Sequence, residues 1–280
     1  MLICRTVPEI RAAVSDLRRA GSIGLVTTMG ALHAGHMALV AAAQADHDAV
    51  VATIFVNPTQ FGDPADLQNY PRTEAGDLAM LEQAGVAAVF IPEASEIYPE
   101  GDETIVETTR LANMLHGKVR PGHFRGVATV VTKLFNIVQP DSAYFGEKDY
   151  QQLAVIRRMV ADLHIPVRIV GVPTVREPDG LAMSSRNVRL IGDERFDARV
   201  LHLSLTVAEA MIKEGKPIEV AAETIRGVIA SKRGAKLVGL DIVDVATFEP
   251  VTGIPTAPIG IMIAVQFMTV LLIDQKEITP

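Results

Sequence analysis

Ile23-Gly24-Leu25-Val26-Thr27-Thr28, the turn Met29-Gly30-Ala31-Leu32-His33-Ala34-Gly35-His36 and the alanine-rich run on to Ala45 decide the fold. The first segment is apolar and β-branched and reads as a buried strand. His36–Ala45 reads as a helix, and Ala49–Val56 returns to a strand. Strand, helix and strand in that order make a βαβ unit, which lays its strands parallel. The rhythm continues with a helical stretch at Ala65–Ala84, a strand at Val86–Ile91, a helix at Gly126–Val138 and a short strand at Ser142–Phe145. A helix at Tyr150–Leu163 and a strand at Val167–Val172 complete it. The pattern predicts an α/β, Rossmann-like parallel sheet with helices on both faces, whose ligands lie beyond the carboxyl ends of the strands.

Past the turn Glu177-Pro178-Asp179-Gly180 the texture changes. Helical stretches at Arg195–Gly215 and Ile218–Arg233 precede strand-like Leu240–Val245 and Ile259–Ile273. A boundary near residue 175 divides a first domain, 1–175, from a smaller C-terminal α+β domain, 176–280; at roughly 150 residues per domain the length supports two. Ile259–Ile273 is the most membrane-like run, but Gln266 and Thr269 interrupt it and it falls short of the ~20 residues of a spanning helix. Its β-branched content predicts a buried strand. Apolar residues at 49% and charged residues at 21% are globular proportions and exclude long disorder. A net charge of −7 argues against non-specific attraction to nucleic acid or an anionic membrane, so an anionic ligand must be met by local cations. The single cysteine, Cys4, excludes an internal disulfide and a thiolate metal cluster and fits a reducing, cytoplasmic setting. The first ten residues, MLICRTVPEI, lack the pattern of a cleaved secretory leader.

Five segments at predicted strand ends carry chemistry. In Met29–His36, two glycines and two histidines stand between strand and helix, where backbone amides and the helix dipole attract anions and imidazoles add directed donors. Glycine in such a turn also serves packing alone, and the paired histidines favour a site. Neither a P-loop nor a GxGxxG pattern occurs. Phe55-Val56-Asn57-Pro58-Thr59-Gln60-Phe61 supplies two neutral amides able to recognise hydroxyl and carboxylate groups, or simply a turn. Arg120-Pro121-Gly122-His123-Phe124-Arg125-Gly126-Val127 gathers cations before a helix, as a solvated basic loop also would. In Phe145-Gly146-Glu147-Lys148-Asp149-Tyr150-Gln151-Gln152, Lys148 offers a point charge to phosphate and Asp149 an acceptor. Met183-Ser184-Ser185-Arg186-Asn187 offers two hydroxyls and a guanidinium, letters equally at home on an ordinary surface.

His33-Ala34-Gly35-His36 resembles the signature of the HIGH-type nucleotidyltransferases, and the five segments together, in this order over almost the whole chain, resemble the pantoate–β-alanine ligase family. Tyr70-Pro71-Arg72 and Lys133-Leu134-Phe135-Asn136 extend the likeness. The resemblance implies an ATP-dependent condensation of pantoate with β-alanine through a pantoyl adenylate, releasing AMP and pyrophosphate. It implies ATP contacts from Met29, Gly30, Ala31, Leu32, His33, Ala34, Gly35 and His36, from Gly146, Glu147, Lys148 and Asp149, and from Val175, Met183, Ser184, Ser185 and Arg186. His36, His33, Lys148 and Arg186 take the catalytic roles, with positive-charge stabilisation of pyrophosphate weighted above proton delivery. Gln60 and Gln152 are implied for pantoate, with Asn57, Arg120 and His123 nearby. Mg²⁺ accompanying ATP, a lid role for the second domain and a homodimer are further implications. Another HIGH-type transferase and a nucleotide sensor without catalysis are the alternatives. Two departures stand out: Thr27 where the family usually has proline, bearing on pantoate affinity, and Leu271-Leu272-Ile273-Asp274-Gln275 where it has Arg-Leu-Ile-Asp-Asn, bearing on second-domain packing.

Overall fold

Six strands pair side by side, every pairing parallel, in the computed structural model, which describes residues 1–268 and 270–280. They are β1 (Leu2–Cys4), β2 (Ile23–Thr28), β3 (Ala49–Ile54), β4 (Ala88–Phe90), β5 (Ser142–Gly146) and β6 (Arg168–Val172), in the order β1-β4-β3-β2-β5-β6. Val26, Val50, Ala52, Val89 and Tyr144 from the sheet pack with Leu39, Val40 and Ala43 of helix Ala34–Asp46 and Leu81 of helix Glu74–Gln83. The alternation of apolar strand and helix thus gives the doubly wound layer expected of the sequence. Helix Val7–Ala20 starts with a capping box: Thr6 accepts from the Glu9 amide, and the Glu9 carboxylate accepts from the Thr6 amide.

Several elements differ from the sequence reading in this half: helices Val7–Ala20, Ala94–Ile97 and His116–Val119 stand where none was read. Ala65–Ala84 is two helices, Pro64–Gln68 and Glu74–Gln83, because Pro71 cannot donate a helical hydrogen bond and disfavours the helical conformation at Tyr70. β1 is not anticipated by the pattern; three residues carry too little periodicity to announce a strand.

Contacts divide the chain into two compact units, Met1–Glu147 with Gln151–Pro173, and Lys148–Tyr150 with Thr174–Pro280. In the second, β7 (Ala235–Asp244), β8 (Ile259–Phe267) and β9 (Val270–Ile278) form an antiparallel sheet in that order. Ile259–Ile273, read as one strand, is therefore a hairpin; Thr269, one of its interrupting residues, lies outside the described residues. Arg195–Gly215 resolves into helices Asp193–Asp197 and Val200–Lys213. Leu205, Ala208 and Ile212 meet Ile225 and Ile229 of helix Ile218–Ala230 and the inner face of β8 at Ile261, Ile263 and Val265. Tyr150 belongs here because its ring stacks on Phe248 at 5.5 Å and its hydroxyl donates to Glu277 at 3.0 Å. A Cβ on Gly260 would come within 2.7 Å of that ring, so glycine makes room for it. Arg176 grips the fully buried carboxylate of Asp274 with two bonds, at 2.7 and 3.0 Å, and donates to the Gly180 carbonyl. Among the described residues, no helix is long and apolar enough to cross a membrane.

Candidate active site

From β2 the chain returns to β3 on one side, and from β5 it passes to β6 on the other. The loops after β2 and β5 therefore part, and the crevice at such a switch point is where α/β sheets bind ligands. Met29–His36 follows β2, and Glu147 begins the loop after β5.

The first loop is held from beneath. Gly30 and Ala31 have positive φ, 80° and 51°, and the Asp77 carboxylate, only 2% exposed, accepts from the amides of Ala31 (2.9 Å) and Leu32 (2.8 Å) and from the Thr73 hydroxyl (3.0 Å). Two amides that the motif seemed to offer to an anion are thus engaged by a residue no motif announced. In the next turn His33 caps helix Ala34–Asp46: the Gly35 amide donates to His33 Nδ1 at 3.1 Å, and the His33 amide donates to His36 Nδ1 at 3.3 Å. A backbone N–H can only donate, so both Nδ1 atoms are unprotonated and each neutral ring carries its proton on Nε2. The rings lie 4.1 Å apart. This loop presents directed imidazole N–H groups more than bare amides.

The second and third motifs interlock. Asn57 is 1% exposed and Gln60 9%, and Asn57 Nδ2 donates to Gln60 Oε1 (3.0 Å) and to the Gly126 carbonyl (3.2 Å). Gln60 Nε2 reaches Met29 Sδ at 3.1 Å and so joins the second motif to the first. His123 Nδ1 donates to the Gln60 carbonyl at 2.8 Å and its Nε2 meets Arg120 Nη1 at 3.3 Å. A Cβ on Gly126 would fall 2.6 Å from the Thr59 carbonyl oxygen, so glycine lets helix His123–Val138 lie against the Pro58–Gln60 turn. Arg120, His123 and Gly126 all serve the placing of Gln60.

In the fourth motif Gln151 and Gln152 divide. Gln151 is buried and saturated, its amide donating to the carbonyls of Leu111 and Met114 and accepting from the His116 amide. Gln152, next along the helix, makes none of these structural bonds. Gly146 and Glu147 belong to the first unit, and Lys148 and Asp149, their charged atoms 3.9 Å apart, to the second. There the Met183 amide donates to the Val175 carbonyl at 3.0 Å, setting those two residues side by side. Ser184 Oγ accepts from the Arg186 amide and starts the short helix Ser185–Arg189. Sequence reasoning missed Asp77, Thr73, Tyr98 and Arg176, and named Asp274 only as part of a C-terminal segment. Asp77 reads as an ordinary acidic residue in a helix first turn, and only the pairing of residues far apart in sequence reveals it.

The sheet order, the switch-point loop and its paired imidazoles define a doubly wound α/β protein of the class that binds ligands at its strand ends. A family model described as pantoate-beta-alanine ligase matches residues 2–277. Pantothenate synthetase of Sinorhizobium medicae is 51% identical over 279 residues, 98% of this chain and 95% of that protein. The crystal structure of pantothenate synthetase from Thermus thermophilus superposes with a TM-score of 0.95 at 46% identity, covering all of both chains. That of pantoate-beta-alanine ligase from Francisella tularensis, complexed with beta-gamma ATP and beta-alanine, gives 0.82 at 35% identity, covering 99% of this chain and 97% of that one. The chain belongs to the pantoate–β-alanine ligase family.

Proposed function

We propose that the residues of the five motifs divide the family's reaction between them. The activity is the ATP-dependent condensation of pantoate with β-alanine to pantothenate. A carboxylate is a poor acylating agent, so its oxygen first attacks the α-phosphorus of ATP, expelling pyrophosphate. The β-alanine amine then attacks the pantoyl adenylate and expels AMP. Positioning and electrostatic stabilisation carry such a reaction, with no protein nucleophile.

The His33 and His36 Nε2–H groups donate to the departing pyrophosphate; pyrophosphate is a weak base, so a directed donor matters more than a transferred proton. Lys148, Ser184, Ser185 and Arg186 supply the hydroxyls and positive charge for the phosphates. Gly146, Glu147, Asp149, Val175 and Met183 take the adenosine, and the Met29–Gly35 backbone shapes the phosphate loop. Gln60 and Gln152 hold the pantoyl oxygens, with Asn57, Arg120 and His123 supporting Gln60. Mg²⁺ arrives as the counter-ion of the ATP phosphates and is part of that substrate. The segment 1–175 is the nucleotide- and pantoate-binding domain and 176–280 the lid, in a cytoplasmic homodimer.

The observation that carries this reading is the Gln60–Met29 contact, which joins the amide proposed for pantoate to the loop proposed for the phosphates. Pantoate-dependent exchange of labelled pyrophosphate into ATP, without β-alanine, tests it. Exchange with pantoate and not with other small acids is expected; absence of exchange from folded, ATP-binding protein refutes the adenylate route.

A further inference from the structure

Asn57 and Gln60 each carry a carboxamide whose two ends differ only in donor or acceptor character, so what they offer depends on which way each is turned. Two backbone groups settle Asn57. The Gly126 carbonyl can only accept, and it faces Nδ2; the Thr59 N–H can only donate, and it faces Oδ1 at 3.4 Å. With Asn57 fixed, its Nδ2 donates to Gln60 Oε1, and Gln60 turns its NH₂ group toward Met29. Reversing Asn57 would set N–H against N–H and C=O against C=O, and would turn Gln60 with it.

The Thr59 amide bond is long. The shortest bond to Asn57 Oδ1 comes from the Tyr98 hydroxyl at 2.8 Å, beside one from the Thr59 hydroxyl at 3.0 Å. Tyr98 is itself held in place. Lys133 Nζ sits 4.5 Å from the ring centroid, anchored to the Ile97 carbonyl and Asp102, and Phe55 flanks the ring at 6.3 Å. Burial, aided by the Asp102 charge and opposed by the Thr59 hydrogen bond, pushes the Tyr98 hydroxyl above its ordinary range, which keeps its proton in place.

We propose that Tyr98 is a positioning residue which, through Asn57, holds Gln60 with its NH₂ facing the acid and so makes that subsite selective for hydrogen-bond-accepting oxygens. An ionised carboxylate and a hydroxyl oxygen accept from such a face; a Gln60 turned the other way would set its carbonyl oxygen against the carboxylate. The proposal rests on the reading of Gln60 as a pantoate contact.

Pantoate-dependent exchange kinetics on full-length Tyr98→Phe, Gln60→Ala and the double variant test it. Removing one neutral hydrogen bond from the relay raises the pantoate KM of Tyr98→Phe about 3–10-fold. The ATP KM stays within about twofold and the unfolding midpoint close to the parent's, because phenylalanine keeps the ring. In the Gln60→Ala background Tyr98→Phe adds nothing to pantoate affinity measured by calorimetry. An unchanged pantoate KM in Tyr98→Phe, an equal rise in both KM values, or independent effects in the double variant would overturn the relay while leaving Gln60 a contact. Unchanged pantoate affinity in Gln60→Ala would instead overturn the reading beneath it. Should Tyr98→Phe fold poorly, NMR of the unsubstituted protein decides: pantoate shifts the Gln60 side-chain NH₂ resonances, and their indifference would refute the proposal.

Discussion

The two edges of the parallel sheet are joined by different chemistry. At the amino edge charges meet in the open: Arg168 and the Tyr144 hydroxyl both donate to Asp46, at 2.7 and 2.8 Å, Arg18 to Asp141 at 3.3 Å, and Ser22 to Asp48 at 2.9 Å. At the carboxyl edge neutral imidazoles and amides are held in fixed directions, and one carboxylate there, Asp77, is buried under three donors. Exposed pairs are screened by salt and contribute little. In a directed network each donor fixes the next, so one alteration propagates to the group that meets substrate.

The sharpest break of that contrast is at His36, where capping and the proposed donor role are separable. His36→Ala slows pyrophosphate exchange by ~10²–10³-fold, the usual cost of one lost transition-state donor. His36→Asn places an amide oxygen near the position of Nδ1, keeps the bond from the His33 amide and loses only the Nε2–H. It is expected to be as slow as the alanine variant while retaining the parent's unfolding midpoint. Near-normal exchange by His36→Asn would reduce His36 to a cap.

Asp77→Ala comes next. It strands the amides of Ala31 and Leu32 in a loop with Ala31 at positive φ, and costs about 2–4 kcal/mol of stability in urea titrations. Stability within experimental error of the parent's would show that the loop holds itself.

The layered sheet was legible in the sequence because Ile23–Thr28 and Ala49–Ile54 are runs of apolar and β-branched residues with no charge, the mark of strands buried on both faces. The motifs were legible as letters at strand ends. Their division of labour was not: Gln151 and Gln152 look alike until the first is seen spent on Leu111, Met114 and His116. Tyr98 and Asp77 were invisible for another reason. Each acts on a partner about forty residues away, and no local pattern records such a pairing. Asp274 showed only as part of a departing C-terminal segment, yet its partner Arg176 fixes the turn that leads to Ser184.

The smallest effect belongs to the amino edge, and pH resolves it. Bonds from Tyr144 and then Arg168 hold the Asp46 carboxyl below the usual aspartate range. A depressed carboxyl contributes stability that is complete above its ordinary value, near 4, and lost as pH falls through its lower folded value. Burial first, and then the Asp46 carboxylate, pushes the Tyr144 hydroxyl up to about 12. A raised phenol contributes stability that is complete below its ordinary value, near 10, and lost as pH rises through the folded one. Tyr144→Phe therefore has two expected signatures in unfolding midpoints compared with the parent's. The alkaline decline between about pH 10 and 12 weakens, and the acid decline, which still begins at about pH 4, becomes shallower and ends at higher pH because Asp46 keeps only Arg168 and is less depressed. Added salt shrinks the Arg168 part of the acid limb and leaves the His36 and Asp77 variants where they were. Coincident profiles for parent and Tyr144→Phe would mean that the Asp46–Tyr144 bond does not persist in solution, and the amino edge would then rest on Arg168 with Asp46, Arg18 with Asp141 and Ser22 with Asp48.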